Sequence, residues 1–152
     1  MTDYATYEQF ARLLPSTLFS SIDIALQVQA LSDASAEADG YLDSQYQLPL
    51  VAWGFDLSTH VCEIAAYRLI MFRGFNPDSG HDQHFRMRYD DAIAWLTKVA
   101  RGVVSPPGFV DSTGVSLASG GPSVTTGAGS GAVSSGGVRG PNSYGGRPGR
   151  GF

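Results

Sequence analysis

Fourteen of the nineteen glycines fall after Gly102, and no other feature of this chain restricts its folding as much. In the last fifty positions, Gly, Ser and Pro together supply 28 residues. A segment of that composition exposes backbone, lacks apolar area to bury and cannot repay its ordering entropy alone. A compact domain is therefore expected over residues 1–102, with residues 103–152 as a low-complexity extended arm. One hundred residues suffice for one core and are too few for two lobes with a cleft between them.

Charge divides at the same place. Residues 1–102 carry 7 Lys or Arg against 13 Asp or Glu, whereas the arm carries Arg139, Arg147 and Arg150 against Asp111. The formal net charge of −4 gives little global attraction for nucleic-acid phosphates. Cys62 is the single cysteine, which excludes an internal disulfide and points to a buried, inert thiol. The start MTDYATYEQF has no apolar run behind a basic residue, and the longest apolar stretch, Ile64 to Phe72, is broken by Arg68. No signal peptide or bilayer span is expected, and the chain reads as soluble and cytoplasmic.

Apolar residues before position 103 recur at helical spacing, predicting an all-α fold of four helices at about 7–14, 22–45, 58–72 and 82–101. Thr6 is placed to cap the first, which carries Tyr7, Phe10, Leu13 and Leu14 on one side and stops at Pro15. Ser21 or Asp23 opens the second, whose stripe is Ile24, Val28, Leu31, Ala38 and Leu42, widened by Ala34, Tyr41 and Gln45. Gly40 lies inside that helix, and a close crossing by another helix is the expected reason for it. Ser58 is the expected cap of the third helix, with Val61, Ile64, Ala65, Leu69 and Phe72 on its inner face. Tyr89, Ile93, Leu96 and Ala100 form the inner face of the fourth. Its acids, Asp82, Asp90 and Asp91, stand toward the start and Lys98 and Arg101 at the end, as the helix dipole favours. Gly102 supplies the stop. Beyond it only apolar islands remain, at Phe109 and Val110, Val115 and Leu117, and Val124.

Candidate chemistry is thin. His81 and His84 stand three apart near Asp78 and Asp82, but a metal site needs third and fourth ligands at defined geometry, so the pattern reads as a solvated turn and no metal is expected. His60 and Cys62, two apart on a helix, point in different directions and make no nucleophile–base pair. Asp90 and Asp91 face about 100° apart and form no carboxylate dyad. GAGSGA at residues 127–132 matches a dinucleotide fingerprint by letter, with no strand before it or helix after it. Catalytic and cofactor-binding residues are accordingly expected to be none. The end of the arm, with Arg139, Arg147 and Arg150 among glycines and Tyr144 and Phe152 interleaved, has the make-up of arginine-glycine nucleic-acid-binding segments. Three arginines are few, however, and behind an acidic domain the segment better suits an arm whose arginines meet acidic surfaces of a protein partner.

One ordered set of motifs is specific. Asp39-Gly40-Tyr41-Leu42, then Tyr46, Leu48, Pro49 and Leu50, resembles the D-G-Y-L-x-x-R-Y-x-L-P-L signature of the Mu-like prophage proteins that belong with tailed-phage head-to-tail connectors. Ile64, Ala65, Tyr67, Arg68 and Leu69 are similar to the I-A-x-Y-R-L segment of that family. Arg88, Tyr89, Ala92, Leu96, Ala100 and Gly102 resemble its closing pattern. Gln45 stands where the family has arginine. The resemblance implies a small helical adaptor assembling as a ring of twelve copies beneath the portal protein, in contact with further neck or tail proteins. In related connectors the C-terminal segment reaches the portal. DNA is then met only by passage through the channel, no membrane is involved, and the protein is made in the host bacterial cytoplasm for the virion head-tail junction.

These readings converge on a structural connector without enzyme activity and without cofactors, whose arm contacts partners through Phe109, Val110, Val115, Leu117, Val124, Arg139, Tyr144, Arg147, Arg150 and Phe152. On this view the helical domain is independent of everything after Gly102. The alternative is a nucleic-acid-binding module using the arginine-rich end, and an enzyme ranks below both, since no nucleophile, base and orienting group converge in sequence.

Overall fold

The structure is a computed structural model and describes residues 2–114. The expected parts of the arm at Val115, Leu117, Val124, Arg139, Tyr144, Arg147, Arg150 and Phe152 lie outside the described residues. Five helices are present among those described: α1 (Tyr7–Leu13), α2 (Ser16–Phe19), α3 (Ile24–Leu42), α4 (Phe55–Arg73) and α5 (Gly80–Ala100). The fold is all-α, as the periodicity predicts, with one isolated bridge between Ala52 and Val110.

The core lies where α3, α4 and α5 meet, and α1 rests against α4 and α3. Leu31, Ala34, Ala38 and Leu42 of α3 face Val61, Ile64, Ala65, Ala66 and Leu69 of α4 and Ala92, Leu96 and Val99 of α5, all buried. The alanines let the helix axes approach closely, so the core is built on backbone proximity as much as on large side chains. An aromatic line, Phe10 to Phe19 (5.6 Å) to Phe85 (6.0 Å), ties α1 and α2 to the first turns of α5.

Helix ends follow local chemistry in most places. Thr6 and Gln9 form a reciprocal capping box on α1, and Asp23 caps α3 through the Ala25 N–H. At the end of α5, Gly102 at φ +69° donates its N–H to Val99 O (2.9 Å) and Val103 donates to Lys98 O (2.9 Å), a Schellman closure that a residue with a Cβ adopts at a cost.

Elsewhere the structure corrects the sequence reading. The stretch after Pro15 forms the extra short helix α2, and α3 stops at Leu42 rather than near Gln45. Ser58 does not cap the third helix. That helix starts at Phe55 behind Gly54, and the Ser58 hydroxyl is buried and donates to Tyr4 O (2.7 Å). Ile24, Val28 and Phe72, expected on inner faces, are exposed at 57%, 47% and 69%. Gly40 has open space around its Cα rather than a crossing helix.

The domain also continues past Gly102. Pro106 and Asp111 are buried, and Phe109 is only 1% exposed, packed on Tyr46 with ring centroids 5.3 Å apart. Val110 N–H donates to Ala52 O (2.9 Å), and Val110 O accepts from Val51 N–H (2.8 Å) and Ala52 N–H (3.2 Å), while Ser112 N–H donates to Gln47 O (3.1 Å). Residues 103–112 are thus a strap that returns along the loop after α3. The carbonyl of Pro107 comes so close to Gly54 that a Cβ there would stand 2.8 Å from it, which is why a glycine precedes α4. Phe109 and Val110 make their contacts within the chain, and the reason is simple. A single large aromatic buries enough apolar area to hold a short Pro- and Gly-rich strap that has a sheet-like partner for its backbone.

Candidate functional site

The expected functional residues fall into two groups in the described region: the motif residues on α3, α4 and α5, and the strap that holds Phe109 and Val110. The motif residues occupy structural positions. Tyr41 packs against the core at its edge, Leu42 is fully buried, and Tyr46 lies under Phe109. Pro49 is exposed in the loop that the strap covers. Arg68 Nη2 binds Glu37 Oε2 at 2.6 Å, and the Tyr89 hydroxyl donates to Glu37 Oε1 at 3.1 Å, so one carboxylate links all three long helices. Tyr67 stacks on Tyr89 with centroids 4.6 Å apart. Burial and the neighbouring Glu37 raise the Tyr89 phenol above its ordinary value.

Asp39, the first residue of the signature, accepts the hydroxyl proton of Tyr4. Tyr4 was not singled out by any sequence pattern, yet it fastens the N-terminal segment to three elements. Its N–H donates to Ser35 Oγ (3.1 Å) on α3, and its carbonyl accepts from Trp53 Nε1 (2.9 Å) and from Ser58 Oγ (2.7 Å) on α4. Its ring meets Trp53 edge-on at 5.0 Å. Burial first, then the Asp39 carboxylate, push its phenol strongly upward.

Two further fasteners escaped the sequence. Asp82, fully buried, accepts from Arg73 Nη2 (2.8 Å) and from Asn76 N–H (2.9 Å), closing the turn between α4 and α5. Its only signal in sequence is an Arg and an Asp flanking a turn. Gln45 Nε2 and Ser44 Oγ both donate to Ala100 O, at 3.2 and 3.0 Å, and so satisfy a carbonyl at the C-terminal end of α5. No buried side-chain polar atom among the described residues lacks a partner.

The residues weighed for chemistry stay apart. His60 Nδ1 lies 3.1 Å from Glu63 Oε2 and its ring stacks on Trp95 at 4.6 Å, while Cys62 is buried and its thiol is pushed up to about 12 by desolvation. Among the described residues no three His, Cys, Asp or Glu side chains gather as a metal site, and no helix is long and apolar enough to cross a membrane. His81 and His84 instead line an open pocket with Arg88.

What fold and site together define is a small all-α domain, pinned by buried polar contacts, with residues 103–112 strapped onto the domain's own loop. Comparison with known proteins is specific about which such domain it is. The family described as Bacteriophage Mu, Gp36 matches residues 1–123, and the chain belongs to that family. It is 40% identical over 85 residues to the Mu-like prophage FluMu protein gp36 of Haemophilus influenzae, covering 56% of this chain and 55% of that protein. It is 33% identical over 92 residues to Gene product J of Escherichia phage Mu, covering 60% of each. The matched region thus spans little more than half the length of these relatives. This is a protein of a Mu-like phage family.

Proposed function

We propose that this chain is a structural phage protein, a head-to-tail connector that forms a ring under the portal protein and docks through its C-terminal arm on the portal or on neighbouring subunits. The observation that carries this reading is the strap. Phe109 in the core and Val110 paired with Ala52 anchor the residues that precede the rest of the arm. An adaptor that must place an arm at a set position on its partner needs a rigid root for it, because a floating linker dilutes the arm over a large volume. Membership of the Mu Gp36 family supports a role in the phage particle, and the lack of convergence among His60, Cys62, His81, Asp90 and Asp91 favours a structural role over catalysis. The ring of twelve copies, the further neck or tail partners, the location at the virion head-tail junction and the passage of DNA through the channel belong to the same proposal.

The test is a truncation placed after the strap. Deleting residues 115–152 is expected to preserve the folded domain and abolish docking to portal-bearing capsids, measured by co-sedimentation. Docking at full strength by the truncated, folded protein would overturn the role of the arm. A second reading, an arm that binds nucleic acid, is favoured by one observation: every charged side chain after Asp111 is an arginine. It requires single-strand binding that falls steeply with salt and disappears when Arg139, Arg147 and Arg150 are replaced together.

A further inference from the structure

We propose that the pocket between the end of α1 and the first turns of α5 is a binding site for the phosphodiester backbone of DNA. Its polar lining is His81, His84 and the cation Arg88, its walls are Leu13, Pro15 and Phe85, and its volume is about 570 Å³. Positions 81, 84 and 88 share one helical face. Helical side chains lean toward the N-terminus, so the guanidinium of Arg88 reaches back over the turn that carries His84.

The charge of this lining runs against the rest of the domain. Residues 1–114 hold 7 Lys or Arg against 14 Asp or Glu, yet no acidic side chain lines the pocket. Arg68, beside another pocket, is paired with Glu37, and the hollow that Arg86 lines also holds the carboxylate Asp90, whereas the lining around Arg88 has none. Arg88 is half-buried and, among the described residues, has no ion pair or hydrogen bond. The stem of Arg88 is covered while its head lines the open pocket without an acceptor from the chain, which leaves the fork available to an external anion.

Chemistry selects the anion. The fork of Arg88 matches two phosphate oxygens, and the imidazoles add donors on the same side, more than a carboxylate needs. The open hollow is larger than a free phosphate ion, and Leu13, Pro15 and Phe85 give it apolar walls beside the polar side chains. The inference goes beyond the connector proposal and does not need it, since a chain that never docks on a portal still carries this pocket.

The test follows the ring signals of His81 and His84 by NMR in the full-length protein, with Arg139, Arg147 and Arg150 replaced by Gln so that the arm contributes nothing. Inorganic phosphate, a short DNA duplex and a poly-glutamate peptide are titrated at low salt. Both signals are expected to move with the duplex at lower phosphate concentration than with inorganic phosphate, while His60, stacked on Trp95, stays fixed. Arg88→Gln should weaken duplex binding about tenfold and Arg88→Lys should recover part of it. Folding of each variant is checked by circular dichroism, and since Arg88 holds no hydrogen bond or ion pair it should be unchanged. The proposal is overturned if the duplex moves neither histidine, if Arg88→Gln binds like the parent, if only inorganic phosphate binds, or if the peptide binds in preference to the duplex.

Discussion

Gln45 stands where the family pattern has arginine, and its amide donates to Ala100 O from the loop beyond α3. That carbonyl is at the negative end of the α5 dipole, where a cation adds attraction that a neutral amide lacks. Gln45 is exposed, so Gln45→Arg should keep the hydrogen bond and raise stability by about 0.3–1 kcal/mol, falling as salt is added, measured by urea unfolding at two ionic strengths. Gly40 makes a complementary case. It lies in the last turns of α3 with nothing near its Cα, so Gly40→Ala should stabilise the isolated protein by roughly 0.5–1 kcal/mol. If the more stable variant fails to assemble, the bare face of α3 is where a neighbour comes close. Buried acids give the pH dependence. The Cys62 thiol, raised from 9.0 to about 12, and the phenols of Tyr4, Tyr46 and Tyr89, raised above 10.0, all keep their protons in the folded state after the unfolded chain has lost them. The folded state then binds more protons, so stability is untouched below about pH 9 and falls as pH rises above it, by up to about tenfold in the folding constant per pH unit per group. Native Cys62 should also react slowly with thiol reagents until that fall begins, and fast labelling at neutral pH would contradict its burial.

At the scale of elements, the sequence is legible where an element is governed by its own residues and opaque where a distant group decides. The Thr6 capping box, the Asp23 cap and the Gly102 stop use neighbours within a few residues, and the expected and observed ends agree there. Ser58 misled because its hydroxyl is a good cap in isolation, but Tyr4, more than fifty residues earlier, takes it as a donor. The start of α4 is set instead by the strap against Gly54, which no local pattern records. Ile24 and Val28 misled for another reason: the true inner face of α3 runs through Gln27, Ala30, Leu31 and Ala34, where alanines and a glutamine hide a packing face from a count of large apolar residues. Gln27 is tolerable there because its amide donates to Phe19 O (3.1 Å) and Ile22 O (2.8 Å), locking α2 to α3. The turn between α4 and α5 gives the sharpest test at this scale. Asp82→Ala leaves the Asn76 N–H and the Arg73 guanidinium without their shared acceptor. Because Arg73 is a third exposed, water recovers part of the loss, and the expected cost is about 2–3 kcal/mol. A drop in thermal midpoint with unchanged helix content at low temperature is the expected signature.

For the whole molecule, the question is where the domain ends. Composition puts the end at Gly102, because Pro, Gly and Ser dominate from there on. The structure carries it to the strap, because Phe109, the one aromatic among residues 103–114, has the apolar area to pin a chain of that kind to Tyr46. The signal was present in the sequence as one large aromatic among turn residues, but its partner lies more than sixty positions earlier, and no periodicity links them. Two truncations separate the readings. Removal of residues 115–152 keeps every core contact described for residues 2–114 and should leave the thermal midpoint within a few degrees of the full chain. Removal of residues 103–152 also strips Phe109, the buried Pro106 and the pairing of Val110, and loss of a buried aromatic alone costs about 3–5 kcal/mol. Against a typical stability of about 5–15 kcal/mol for a whole domain, the shorter protein should be largely unfolded or strongly destabilised at body temperature. Phe109→Ala in the full chain should reproduce most of that loss while leaving the rest of the arm in place. If docking then fails only as far as folding fails, Phe109 serves the root, and the partner is held by residues farther along the arm. If both truncations melt alike, the strap contributes nothing, and the boundary returns to Gly102.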